Sequence, residues 1–333
     1  MRQNYQITKV NTTVITNETL QELYSTDNTI AEKYNLLKRY RNIDEYQSLF
    51  LSNFTNNDNE LYVIGDNSSP CGILMYVKTA NWDGILRYEL TFRLSDAVIS
   101  GFLLECLDQF ISEKLAKQPP LAINTYNNEL DALIERYSSK VQLKPNVYTL
   151  NKADIDIDLL NKSMQEYLAK NHSLRLVYTD IISEEYIEQW CNLFMETSAD
   201  MPDENEEGFV RYVITPEKQR QANESNAKRG VSHHCYMIFD EDKMVGFTNV
   251  SVSNNDSRFP YQFMIGVKSA YRGMGLGKWL YAAMYKKLFE EVDFDTSLVR
   301  HHPKNEGAIR VSEWVGYRFA YCEATHLVCK NVQ

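Results

Sequence analysis

Residues 262–280 read QFMIGVKSAYRGMGLGKWL, and the middle of this stretch decides the fold. Three of the chain's 13 glycines, Gly273, Gly275 and Gly277, alternate here. Before them runs an apolar, strand-like segment, 261–267. After them Leu276, Leu280, Ala283, Met284 and Leu288 recur at helical spacing. A glycine-rich turn from strand into helix presents successive backbone N–H groups beside the positive end of a helix dipole, an arrangement that holds phosphate. Arg272 and Lys278 flank the turn, and residues 268–287 carry five basic side chains and no acidic one. The alternative is a tight turn that uses glycine only for positive φ. One glycine would read that way, whereas three between two bases point to an anion cradle. Lys286 and Lys287 read equally well as a solvated helix face.

Spacing excludes two common phosphate loops. A P-loop needs glycine five residues before its Gly-Lys pair and Ser or Thr after it, where this chain has Arg272 and Trp279. A dinucleotide fingerprint built on Gly273 and Gly275 needs its third glycine where Lys278 stands.

Working outward, the second half predicts a helix at 183–197, an acidic loop at 199–208, and a helix at 215–229 with Thr215 as cap and Pro216 at its first position. Strands follow at 235–239, 244–252 and 261–267. The glycine turn, a helix to about 291, a strand at 296–300, a helix at 305–315 and a final strand at 319–329 complete it. The first half runs in the same order. Strands 60–65 and 71–78 form a hairpin across Asp66–Pro70, and a third strand covers 86–92. A helix capped by Ser95 or Asp96 carries the apolar stripe Val98, Ile99, Phe102, Leu103, Cys106, Leu107, Phe110 and Ile111. Then come a short strand LAIN, a helix at 127–137 and a last strand at 146–150. The boundary falls in the polar stretch 151–173, so domains of 1–155 and 156–333 are expected.

Composition narrows the class. The 333 residues suit roughly two domains. With 44% hydrophobic and 24% charged residues the chain is an ordinary folded protein. Its 35 Lys and Arg against 45 Asp and Glu leave a net charge of −10, which argues against a chain that coats nucleic acid or an anionic membrane. No apolar run reaches the ~18 residues of a membrane span, and the N-terminal segment lacks the apolar core of a signal peptide. The six cysteines are scattered with no C-x-x-C pair, as expected of buried thiols in the cytoplasm rather than of disulfides or a metal site.

Arg272-x-x-Gly275-x-Gly277, after a strand ending Ile265-Gly266-Val267, resembles the R/Q-x-x-G-x-G/A signature of the GNAT superfamily of N-acetyltransferases. Downstream, Asn305-x-x-Ala308 followed by Gly316-Tyr317 resembles that family's second motif. The resemblance is strong over about 174–330, while residues 1–155 are similar in element order only. It implies an α/β protein with mixed sheets, two tandem acyl-CoA N-acyltransferase (GNAT) folds, the first a degenerate scaffold copy and the second binding acetyl-CoA. At the first copy's corresponding junction, Leu90 to Ile99, there is no glycine, and Asp96 stands where it would repel a phosphate.

The resemblance further implies roles. Arg272, Gly273, Met274, Gly275, Leu276, Gly277 and Lys278 would hold the pyrophosphate of acetyl-CoA, and Ile265, Gly266 and Val267 would pair with its pantetheine arm. The Val267 N–H would serve as oxyanion donor. Asn305 would touch the coenzyme from the other side, and it serves equally as cap of helix 305–315. Ser312 occupies the position where the family often has the Tyr that protonates the leaving thiolate, and its hydroxyl is a far weaker acid. His301 is a candidate proton relay, the alternative being a surface pair with His302. Among the five carboxylates between Asp200 and Glu207, Glu204, Glu206 and Glu207 are candidates for attracting a cationic acceptor such as an aminoglycoside or polyamine, the alternative being a solvated loop. The expected activity is direct acetyl transfer from acetyl-CoA to a small-molecule primary amine. No metal, nucleic acid or membrane is implicated, and the chain would work as a monomer or homodimer. A protein N-acetyltransferase and a non-catalytic coenzyme A-binding sensor are the alternatives.

Overall fold

The computed structural model describes residues 5–34, 40, 42–55, 59–65, 70–80, 86–94, 101–117, 121–126, 128–137, 140–143, 145–170, 173–202 and 213–328. In chain order its elements begin with β1 (Gln6–Lys9), α1 (Asn17–Lys33), α2 (Ile43–Glu45), a π-helical segment Tyr46–Leu51, and α3 (Ser52–Thr55). Next come β2 (Glu60–Gly65), β3 (Pro70–Ala80), β4 (Leu86–Leu94), α4 (Gly101–Lys117), β5 (Leu121–Thr125), α5 (Asn128–Glu135) and β6 (Lys140–Leu143). They continue with β7 (Asn146–Asn151), α6 (Ile157–Lys170), β8 (Leu174–Thr179), α7 (Ile187–Ala199), α8 (Pro216–Arg229), β9 (Val231–Asp240) and β10 (Lys243–Ser253). The last are β11 (Tyr261–Val267), α9 (Leu276–Glu291), β12 (Thr296–His301), α10 (Glu306–Val315), β13 (Arg318–Cys322) and β14 (Ala324–Val328).

Two compact units result, residues 1–144 with 320–333 and residues 145–319. Each is built on one seven-stranded mixed sheet. The first has the order β1-β2-β3-β4-β5-β14-β6 and the second β8-β9-β10-β11-β12-β7-β13. Slot for slot the two agree. An antiparallel meander of four strands leads to one parallel pair, β4 with β5 and β11 with β12, and an antiparallel strand follows, β14 on β5 and β7 on β12. The repeated order of strands and helices is therefore real.

Strand ownership departs from expectation. The strand read at 146–150 as the last of the first half belongs to the second sheet, paired with β12 from Asn146↔His301 to Asn151↔Thr296. The single strand expected at 319–329 is two, β13 in the second sheet and β14 in the first. The division thus falls at 144/145, with the C-terminal stretch returning to the first unit, and not at 155/156. Backbone N–H and C=O groups must be paired, so membership follows whichever sheet offers an open ladder. Composition marks only that a segment is extended. The polar stretch 151–173 also contains a helix, α6, whose Leu160 is buried and whose Met164 packs on the core beneath α9.

Local chemistry explains the elements that hold the site. Thr215 Oγ1 accepts from the Lys218 N–H at 3.2 Å with Pro216 next to it, and Gly230 at φ 65° ends α8. In the first unit α4 buries Leu103, Leu107, Ile111 and Leu115, a narrower stripe than expected, since Phe102 is exposed. Its expected cap, Ser95 or Asp96, and most of the turn 66–70 lie outside the described residues. The second sheet is covered on both faces. Trp190 and Phe194 of α7 pack on Phe247 from one side, and Tyr281, Met284 and Tyr285 of α9 pack on Val250 and Val299 from the other.

Candidate functional site

The site begins where two parallel strands part. β11 and β12 are in register only at Tyr261↔Leu298 and Gln262↔Val299. Beyond that point β11 continues to Val267 with no ladder partner on the β12 side among the described residues. The Lys268 N–H donates to the Val245 carbonyl at 2.9 Å. Alternation along the strand then turns the N–H groups of Val267 and Ile265 away from β10, towards the gap. The Val267 carbonyl accepts from Arg272 Nε at 3.0 Å. Gly266 faces α7, and a Cβ there would lie 2.6 Å from Thr197 Oγ1 and 2.8 Å from Phe247 Cε1, so only hydrogen fits.

The glycine turn follows at once. Gly273 and Gly275 have φ of 81° and 85°, a region costly for any residue with a Cβ. Gly275 is the cap of α9, whose first-turn N–H groups have no partner within the helix. It also lies under the ring of Tyr167 from α6, and a Cβ would come within 2.5 Å of Tyr167 Cε1. Gly277 lets α10 approach, with Val311 Cγ2 3.4 Å from where its Cβ would be. Leu276 is buried beneath the turn and Met274 is exposed on it.

The expected group of five cations divides. Lys286 and Lys287 are held by Glu290 and Glu291 one turn along α9, each at 2.6 Å, so they are helix-surface pairs. Lys268, Arg272 and Lys278 remain beside the turn. Arg272 is ion-paired with Asp200 at the end of α7, Lys268 Nζ lies 4.0 Å from Glu196, and Lys278 Nζ sits 5.2 Å from the Trp314 ring centroid.

Asn305 caps α10, its Oδ1 accepting from the Ala308 N–H at 3.4 Å. His301 and Ser312 are brought together, with His301 Nε2 2.7 Å from Ser312 Oγ and Tyr281 OH 3.4 Å beyond. Both are enclosed: His301 is 6% exposed and Ser312 fully buried. His301 is thus not half of a surface pair, and burial pushes its pKa down to about 4, leaving it neutral at pH 7. Ser312 presents no open hydroxyl at the surface. His233 is bound to Asn226 and His234 to Tyr178. Glu204, Glu206 and Glu207 lie outside the described residues.

Tyr167 and Thr197 were not anticipated. For Tyr167 the signal was present, since Ile157, Leu160, Met164 and Tyr167 follow helical spacing through a polar stretch. For Thr197 nothing in the sequence indicates that it closes on Gly266.

The first unit fills the corresponding place. Arg93, next to last in β4, is ion-paired with Asp27 of α1, both largely buried. The segment 95–100, including Asp96, lies outside the described residues.

Residues 187–317 match the acetyltransferase (GNAT) family. No curated protein matches the chain in sequence. Solved structures share its fold over both units. A tandem GNAT protein from the clavulanic acid biosynthesis pathway aligns with TM-score 0.53 and 14% identity over 97% of this chain and 98% of its own. A GCN5-related N-acetyltransferase from Sphaerobacter thermophilus aligns with TM-score 0.59 and 10% identity over 99% and 98%. The glucosamine N-acetyltransferase region of a fungal multidomain β-N-acetylglucosaminidase gives 0.55 and 10%, over 98% of this chain and 38% of that one. Those likenesses show the fold, two GNAT folds in tandem, and the match to the acetyltransferase (GNAT) family covers residues 187–317 of the second unit, the glycine turn included.

Proposed function

We propose that the second unit transfers an acetyl group from acetyl-CoA to a primary amine of a small molecule, by direct attack with both substrates bound. The observation that carries this is the parting of β11 from β12 directly before the glycine turn. It places an unladdered strand edge and an anion cradle in succession, as a long molecule with a peptide-like arm and a pyrophosphate requires. The residues present fit coenzyme A. Two positive-φ glycines open the turn, a Cβ at Gly275 is excluded by Tyr167, and α9 begins without a side-chain cap.

Acetyl-CoA supplies an activated acyl group as a thioester. The chain's own residues bind and polarise. The N–H groups of the turn and of the first turn of α9, with Arg272 and Lys278, hold phosphate. Ile265 and Val267 offer strand-edge hydrogen bonds, and the Val267 N–H donates to the carbonyl oxygen as it gains charge. Glu196 and Asp200, at the end of α7 beside the strand, hold Lys268 and Arg272 next to the turn. His301 and Ser312 supply no acid at the surface, so water at the open edge carries the protons.

Titration of the chain with acetyl-CoA is expected to give one site per chain, and an amine panel is expected to release free thiol. Absence of coenzyme binding removes the proposal. Binding without thiol release from any amine selects instead a coenzyme-binding sensor, the reading that the enclosed His301–Ser312 pair favours.

A further inference from the structure

One enclosed polar atom of the second unit has no role in the scheme above. Asn249 in β10 is 3% exposed, and its Oδ1 is sealed from solvent without a hydrogen bond. An amide oxygen shut away unbonded is destabilising and calls for an explanation. Its direction follows from its neighbours. Phe247 packs on Trp190 and Phe194 of α7, and Thr248 on the opposite face is bonded to Gln262, so Asn249 turns towards the α7 face. Across the sheet it stands between Cys235 and Met264.

The Met264 side chain is partly buried against the α7-facing core, with Ser198 Oγ 3.9 Å from its sulfur, and an unbranched thioether can change rotamer without leaving that core. Phe263, adjacent in β11, is 48% exposed at the point where the two parallel strands part. Its ring stacks on Phe194 with centroids 6.2 Å apart and planes within 17°. An exposed ring, a movable thioether and an unbonded acceptor oxygen therefore lie side by side on the strand that ends at Val267.

We infer that Asn249 and Phe263 form a specificity subsite for the acceptor. The ligand is a primary amine on a ring-shaped or flat body, with an O–H or N–H donor remote from the amine. The body lies on Phe263, Met264 swings aside, and the remote donor bonds to Asn249 Oδ1. Asn249 stands three positions from Gly246, which faces Val267, so the donor and the reacting amine are separated by roughly 10 Å along the strand. This rests on the acetyltransferase proposal and adds to it the class of acceptor.

The test uses the full chain, thermal melts without ligand, and thiol release from a panel of ring-bearing hydroxyamines with propylamine as control. Asn249→Leu removes the unbonded oxygen at similar size. It is expected to raise the unliganded Tm, to raise KM for the preferred ring-bearing amine about tenfold, the usual scale of one lost hydrogen bond, and to leave KM for acetyl-CoA unchanged. Phe263→Ala, a change at an exposed side chain, is expected to raise KM for ring-bearing amines and not for propylamine. A lower Tm for Asn249→Leu, or an unchanged amine KM in either variant, overturns the subsite while leaving acetyl transfer intact. No thiol release from any amine with the unaltered chain overturns acetyl transfer and the subsite together.

Discussion

The ends of β4 and β11 occupy the same place in two sheets of the same order, yet they are finished oppositely. In the first sheet Gly72 faces Leu94 and Ile73 faces Arg93. In the second Gly246 faces Val267 and Phe247 faces Gly266. Arg93 therefore corresponds to Gly266. One sends a guanidinium onto Asp27 of α1, while the other has no side chain and receives Thr197 of α7. Burial alone would lower the Arg93 pKa, but the Asp27 carboxylate outweighs it and the guanidinium stays charged. The difference shows how a shared scaffold is committed. In the second unit Thr197 closes on the bare Gly266, and what a ligand can reach is the unladdered edge of β11 beside it. In the first the same space holds an ion pair, which contributes little net stability but is strongly destabilising when half of it is removed.

The largest effect should come from unpairing that ion pair. Arg93→Met leaves a buried carboxylate alone and is expected to destabilise the first unit by about 3–5 kcal/mol in urea melts. Arg93→Met with Asp27→Leu should recover most of it. If the single change costs under 1 kcal/mol, the pair does not fill that space, and the contrast with Gly266 breaks.

The two positive-φ glycines sharpen the contrast from the other side. Gly273 has open space where a Cβ would be, whereas Gly275 has Tyr167. Gly273→Ala should weaken coenzyme binding through backbone strain of roughly 1 kcal/mol. Gly275→Ala should weaken it more, by about tenfold or beyond, because ring and backbone must both move. Equal losses by calorimetry would mean that the Tyr167 contact is irrelevant to the turn.

An effect that is absent at neutral pH concerns protons. The folded pKa of His301, about 4, lies below the ordinary value of 6.5. The unfolded chain therefore binds the proton more readily between those values. The contribution to stability is complete above pH 6.5 and is lost as pH falls towards 4, by at most about 3 kcal/mol. His301→Gln, which keeps a donor for Ser312, should flatten Tm over pH 4–7. A slope unchanged by the substitution assigns the acid loss to other groups.

What could be foreseen follows the reach of each signal. Gly273, Gly275 and Gly277 with the helical stripe behind them marked the turn, because glycine spacing and apolar period are local properties. Thr215 and Asn305 were legible as caps for the same reason. The exchange of β7 and β14 was not, since a run such as NVYTLN states that it is a strand and not which ladder receives it. Arg93 reads in the sequence as an ordinary charged residue in a strand, and its burial depends on Asp27, 66 residues away. Asn249 sits unmarked in GFTNVSVS, because an orphaned oxygen is defined by the absence of partners in space.

The exchange of β7 and β14 also sets a calendar for synthesis. The second sheet draws β7 from residues made before its own meander, so all its strands exist once β13 has emerged. The first sheet, begun at β1, has a vacant slot between β5 and β6 until residues 324–328 arrive. Throughout translation of the second unit two of its strands offer unladdered edges, a state prone to wrong pairing. The half that leaves the ribosome first is the half completed last, and a ribosome that stalls within the last strand releases a finished second unit attached to an unfinished first one.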